Sequence, residues 1–219
     1  AYGELFFKRA IGELPEMESS KAAAKRAAGL LSGQARRIVD VGCGAGHYYR
    51  SLRAAIGGEF QYLGVDATPL YVKLAREAFN SDRNASFMEG DIFSLPLEDR
   101  ATDLVMCNNV LLHLPSIAKP LRELVRIAAR KVLIRTLVSD KSYVVKDVAP
   151  DPVGDEFDEE GEPKNFHFLS IYSERYVERV IRSTGRVRAI GFERDVDFDS
   201  RKVADTGDLL KHAWDKTGV

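Results

Sequence analysis

Hydrophobic residues along this chain fall into two arrangements. Short, mostly apolar runs occur at Ile38–Val41, Phe60–Val65, Leu104–Cys107 and Val132–Val138. Strands buried on both faces of a parallel sheet read this way. The runs predict strands over 37–41, 60–65, 103–107 and 131–138, with a shorter one over 85–89. Between them the apolar residues recur at helical period. Leu121, Leu124, Val125 and Ala128 form one stripe, with Arg122, Glu123 and Arg126 facing out. Helices are predicted over 47–56, 70–79 and 116–130. Thr68 and Pro69 supply a cap and a first-turn proline, and Ser116 a cap. Strand and helix alternating through residue 138 imply a parallel sheet covered by helices.

The two ends read differently. Tyr2, Phe6 and Phe7 form an aromatic cluster, with Ile11 and Leu14 at helical spacing. A second helix is expected over 21–31, capped by Ser19 or Ser20 and followed by Gly33. These aromatics either cover a site or pack on the sheet edge. Residues 147–163 hold eight acids, three prolines and two glycines but no Lys or Arg. That composition cannot build a core and predicts a long loop. An aromatic stretch over 165–172 restores order. Ser173 caps a helix to Ser183, and Gly185 ends it. Residues 187–192 and 196–198 are expected as a closing antiparallel pair, and 206–216 as an amphipathic helix.

The first strand runs into three alternating glycines. Arg37 to Tyr48 reads Arg-Ile-Val-Asp-Val-Gly-Cys-Gly-Ala-Gly-His-Tyr. Gly42, Gly44 and Gly46 permit a sharp turn and close backbone approach to a ligand. Strand, glycine turn and helix begin a doubly wound α/β domain, which binds ligands at the carboxyl ends of its strands. The spacing is G-x-G-x-G rather than the dinucleotide G-x-G-x-x-G, and Asp40 would repel a pyrophosphate. No Gly-Lys-Ser/Thr follows, so the loop is not a Walker loop. Asp66 ends the second strand 20 residues after Gly46. An acid at that place accepts hydrogen bonds from ribose hydroxyls.

Asp40, Gly42, Gly44 and Gly46 stand in register with D-x-G-x-G-x-G. The stretch resembles motif I of class I S-adenosylmethionine-dependent methyltransferases, and the likeness covers about residues 35–140. It implies a doubly wound, Rossmann-like sheet of seven strands, mostly parallel with the last antiparallel, helices on both faces and an N-terminal helical cap. It also implies S-adenosyl-L-methionine as cofactor and S-adenosyl-L-homocysteine as product. Asp66 would hold both ribose hydroxyls. Asp91 would bond the adenine amino group, and Ile92 would cover the base. Asn108 ends the fourth strand on the edge that lines the cofactor and faces the acceptor. Asn-Asn-Val-Leu at 108–111 departs from the Asn/Asp-Pro-Pro-aromatic of amino-directed DNA and RNA methyltransferases.

His113 follows that edge by a few residues. A reference pKa near neutrality makes it a general-base candidate, with a turn-bonded structural histidine as the alternative. His167, after the acidic segment, is its competitor. Arg135 interrupts an apolar strand, so it marks either the strand's end or a site. At 219 residues one domain is expected: 1–34 as cap, 35–140 as cofactor-binding core, and 141–219 as acidic loop, closing strands and C-terminal helix. Net charge is −1, which gives no general attraction to nucleic acid or an acidic membrane. Cys43 and Cys107 form neither a disulfide framework nor a zinc spacing. No apolar run has membrane-spanning length and no signal peptide opens the chain, so cytoplasm is the expected compartment. The expected partner is a small-molecule acceptor, methylated on oxygen or nitrogen. The alternatives are a non-catalytic S-adenosylmethionine binder and a methyltransferase acting on RNA or protein. An NAD-dependent dehydrogenase would need a Tyr-x-x-x-Lys pair, and Tyr143 and Lys146 are one residue too close for it.

Overall fold

The computed structural model describes residues 2–31, 36–148 and 156–194. Two helices, α1 (Tyr2–Ile11) and α2 (Glu18–Leu30), precede the sheet. There follow β1 (Arg37–Val41), α3 (His47–Ala55), β2 (Gln61–Asp66), α4 (Pro69–Ala78), β3 (Ala85–Glu89) and β4 (Thr102–Asn108). After a 3-10 turn at Leu111–His113 come α5 (Ala118–Ile127) and β5 (Ala128–Arg135). A second unit holds β6 (Val138–Ser139), β7 (Tyr143–Val148), β8 (Phe166–Ser173) and α6 (Glu174–Arg182).

The main sheet has the order β3-β2-β1-β4-β5, and all four pairings are parallel. β1 lies at its centre because its residues alternate between two apolar layers. Val39 and Val41 join Val65, Val105 and Cys107 under α5 and α6. Ile38 joins Tyr62, Leu104 and Met106 under α2, α3 and α4. Side chains of a strand point to opposite faces in turn, so a strand apolar on both faces must be covered twice. Strand order reverses between β1 and β4, and a crevice forms at such a switch point.

One arginine ties the β3–β4 connection to α5. Arg126 donates to both carboxylate oxygens of Glu123 at 2.8 Å and to the carbonyls of Leu95 and Leu97 at 3.0 and 2.7 Å. Its pKa is raised further, chiefly by Glu123. Arg126→Met strips these carbonyls of their donor, and stability should fall by about 1–3 kcal/mol in denaturant titration. An unchanged midpoint would show that water replaces the guanidinium without cost.

Several elements differ from the sequence pattern. The main sheet has five strands among the described residues rather than seven. β6, β7 and β8 form a separate three-stranded sheet of order β6-β8-β7. Residues 187–192 are not a strand, since Arg188 and Gly191 interrupt the run and no ladder among the described residues receives it. The predicted strand at 196–198, the helix at 206–216 and Gly33 lie outside the described residues. The acidic loop starts later than its composition predicts. Asp147 and Val148 belong to β7, because antiparallel pairing with His167 and Phe166 outweighs their loop-like neighbours. α2 begins at Glu18 with Met17 as its N-cap, which puts Ser19 and Ser20 inside the first turn. Likewise Ile117, not Ser116, precedes α5, and β5 starts directly at Ala128.

Candidate active site

The chain leaves β1 through the glycine loop. Gly42 and Gly46 both adopt left-handed backbone, with φ of +79° and +82°. A Cβ at Gly42 would lie 2.1 Å from Cγ2 of Val110, and one at Gly46 2.8 Å from the Phe79 ring. Val110 is brought there by Asn109, which turns off β4 with φ +57°. The Asn109 amide donates to the Arg135 carbonyl at 2.8 Å, fixing that turn. The loops after β1 and β4 therefore touch because residue 42 has no side chain. Gly42→Ala combines strained φ with overpacking and should cost at least about 1–3 kcal/mol. A thermal melt checks this, and an unchanged midpoint would mean that Val110 yields freely.

Asp66 ends β2 and faces the same loop. The Gly44 amide donates to its Oδ2 at 2.8 Å and the Thr68 amide to its Oδ1 at 2.9 Å. Each carboxylate oxygen keeps a further lone pair. The Gly44 amide, which a phosphate at this helix N-terminus would need, is thereby spent. Phe6 from α1 stacks on His47 at the start of α3, with ring centroids 4.5 Å apart and planes 13° apart. The arrangement offers hydroxyls a carboxylate and withholds the Gly44 amide from a phosphate.

These groups line a cavity of about 470 Å³ at the carboxyl ends of β1, β2 and β4. Gly42, Gly44, Asp66, Asp91, Ile92 and Asn108 all contribute to its wall. Asp91 Oδ1 accepts from the Phe93 amide at 2.9 Å, which holds the turn in place. Asn108 is nearly fully buried, yet neither polar atom of its side chain has a partner. Buried polar groups are normally paired, so this amide is a vacant donor and acceptor in the wall. α1 supplies Tyr2, Leu5, Phe6 and Arg9 to the other side.

Asp40 and Gly46 are not among the wall residues. Asp40 is buried beneath the loop and accepts from the Tyr62 hydroxyl at 2.8 Å. Gly46 instead packs beside Phe79 and Phe87. Burial pushes the Asp40 pKa up to about 7, against the Tyr62 hydrogen bond and with help from Asp66. The folded protein thus holds this proton more tightly than the unfolded chain. The associated stability is complete below pH 4 and is lost as pH rises to about 7. Asp40→Asn should flatten the stability profile across that window. Equal pH slopes for the parent and the variant would show that Asp40 ionises in the fold without penalty.

The opposite end of the cavity holds the two candidate bases. His113 Nδ1 faces the Phe168 carbonyl at 3.4 Å. Partial desolvation at the cavity rim lowers its pKa, against the Phe168 contact and with His167 adding a little. His167 Nε2 lies 3.2 Å from Oδ2 of Asp147, its cross-strand neighbour. Both rings line the cavity, together with Arg135, whose guanidinium donates to Asn109 Oδ1 at 2.8 Å. His47 also lines it, and burial drives its pKa down to about 3. Its position fixes a neutral ring there at any working pH. His212 lies outside the described residues.

Sequence reading missed Arg9, Tyr48 and Tyr71 in this wall. Arg9 is one polar residue on a short amphipathic helix, and Tyr48 and Tyr71 read as ordinary helix positions. α3 and α4 carry Tyr48 and Tyr71 to the wall, and docking of α1 on both helices brings Arg9 there; no local signal marks these positions.

The fold puts this cavity at the switch point, where doubly wound α/β sheets bind ligands. Residues 39–134 match the methyltransferase domain family. The match runs from β1 into β5, the doubly wound core of the chain. The chain is 35% identical over 118 residues to ajmaline N-methyltransferase from Rauvolfia serpentina, a match covering 52% of this chain and 38% of that one. Over 97 residues it is 37% identical to the chloroplastic tocopherol O-methyltransferase of Arabidopsis thaliana, covering 43% of this chain and 27% of that one. The matches thus span well under half of these relatives. In fold the chain is similar to Haemonchus contortus phosphoethanolamine N-methyltransferase 2 in complex with S-adenosyl-L-methionine. The TM-score is 0.53 at 20% identity, covering 76% of this chain and 36% of that one.

Proposed function

We propose that this chain transfers the methyl group of S-adenosylmethionine to an oxygen or nitrogen of a small-molecule acceptor. The observation that carries this reading is the pairing of Asp66, held by two backbone amides, with the unpartnered Asn108 amide across one cavity. When bound, the cofactor supplies a methyl group already activated on a sulfonium. Asp66 would accept the ribose hydroxyls, Asp91 and Ile92 would hold the base, and Asn108 would face the remainder. Little is then asked of the protein beyond proximity and alignment of the acceptor.

Removing the acceptor proton falls to a histidine. The Phe168 carbonyl beside Nδ1 of His113 favours the tautomer protonated there, which leaves the Nε2 lone pair for the acceptor. A lowered pKa keeps that ring neutral near pH 7. The relatives named above methylate both nitrogen and oxygen acceptors by their names, which fits either atom here. Calorimetry with S-adenosylhomocysteine and NADH side by side tests the reading. Binding of the first alone is expected, and selective binding of NADH would overturn it. Labelled methyl donor with panels of phenols, amines, RNA and protein then reads the acceptor class.

A further inference from the structure

The cavity does not end at its histidines. In the β7–β8 ladder Tyr143 pairs with Ile171, Val145 with Leu169 and Asp147 with His167. Directly opposed residues of an antiparallel pair project from the same face. Leu169 and His167 line the cavity, so Tyr143 and Val145 extend that same face beyond it. Both lie open to solvent, at 51% and 41% exposure. The face carries no Lys or Arg, and its one acid, Asp147, is paired with His167. Leu112 and Leu114 line the cavity as well, so its wall is apolar on either side of the two histidines. From Asp147 to Tyr143 the strip runs four residues, roughly 13 Å at strand rise.

We infer that the acceptor is amphiphilic: its polar, methyl-accepting end enters the cavity and its apolar chain lies along Leu169, Val145 and Tyr143. The inference rests on the proposed acceptor site. Continuity selects this occupant, because Leu169 lines the cavity and Val145, opposite it in the ladder, carries the same apolar face on toward Tyr143. A polar acceptor would leave this strip bare, which costs solubility without a use. The other face of the hairpin provides a control. Val144 lies there at 51% exposure, with Lys146 stacked 4.5 Å over the Phe166 ring.

The test uses alkyl 4-hydroxybenzoates with methyl, butyl and octyl chains, titrated into the whole protein saturated with S-adenosylhomocysteine. Binding should tighten about tenfold to a hundredfold from methyl to octyl as methylenes leave water. Val145→Asp should abolish most of that gain, whereas Val144→Asp should preserve it. A circular dichroism melt of each variant confirms folding, and Val145→Thr is the milder substitute should Val145→Asp unfold. No dependence on chain length, no binding of the octyl ester, or equal effects of the two Asp variants would overturn the inference. So would a Val145-dependent dimer in sedimentation, or Val145-dependent binding to phosphatidylcholine vesicles, which would assign the strip to a second copy or a lipid surface. Failure of S-adenosylhomocysteine to bind in the first place would instead strike the methyltransferase reading.

Discussion

Asp66→Ala should weaken S-adenosylhomocysteine binding by roughly two to four orders of magnitude. Two hydroxyl bonds to a charged acceptor are worth about 1.5–3 kcal/mol each, and about 1.4 kcal/mol corresponds to one decade. The same carboxylate also holds the buried Gly44 amide and the amide of Thr68, an exposed residue just past β2. Its removal leaves the Gly44 donor buried without a partner, so the variant should also lose about 1–3 kcal/mol of stability. The two effects separate by experiment. Calorimetry at a temperature well below the melting point reads binding, and the melt reads the loop. Asp66→Asn retains an acceptor oxygen but no charge, and it should fall between parent and alanine in both. A folded Asp66→Ala protein that binds within a factor of a few of the parent would remove Asp66 from the ribose site.

With an acceptor in hand, His113→Gln should lower turnover by about 10²–10⁴-fold, the usual worth of a positioned general base. Cofactor affinity should stay nearly unchanged, because His113 sits at the far end of the cavity from Asp66. The pH profile gives the sharper reading. Desolvation lowers the His113 pKa below its ordinary value of 6.5, so the parent's rate should rise with pH and pass its half-maximal point below that value. The limb should vanish in His113→Gln. His167→Gln is the discriminating partner, since Asp147 holds its Nε2 and leaves Nδ1 as an acceptor. A large loss in His167→Gln with none in His113→Gln would move the base to β8. Unchanged turnover in both would leave alignment alone to carry the chemistry.

How much of this was legible in the residues differs between the two halves of the site. The proposed cofactor half is local. A strand, its glycine turn and the acid at the next strand's end sit side by side in any parallel sheet built from consecutive strand–helix units. The order β3-β2-β1-β4-β5 makes those strand ends neighbours, so Gly42, Gly44 and Asp66 were legible from the residues, while Asp91, Ile92 and Asn108 came from the family resemblance. Asp40 shows where that reading stops. Its identity was plain, but the period-2 alternation of β1 turns it away from the cavity toward Tyr62.

In the proposed acceptor half, His113 and His167 were named from the sequence, and tertiary structure decided what they face. α1 delivers Phe6 and Arg9 from the start of the chain, and β8 delivers His167 from more than a hundred residues later. Nothing near either segment in sequence specifies what it will face. The β7–β8 register fixes which side chains share the cavity's face, and a shift of one residue would have turned Leu169 and Val145 to the other side. The sequence by itself determined the parallel core and its ligand-binding edge, because hydrophobic period and glycine placement are local constraints. The partner of each base and the apolar strip beyond the cavity come from long-range docking and strand pairing, which no local pattern encodes.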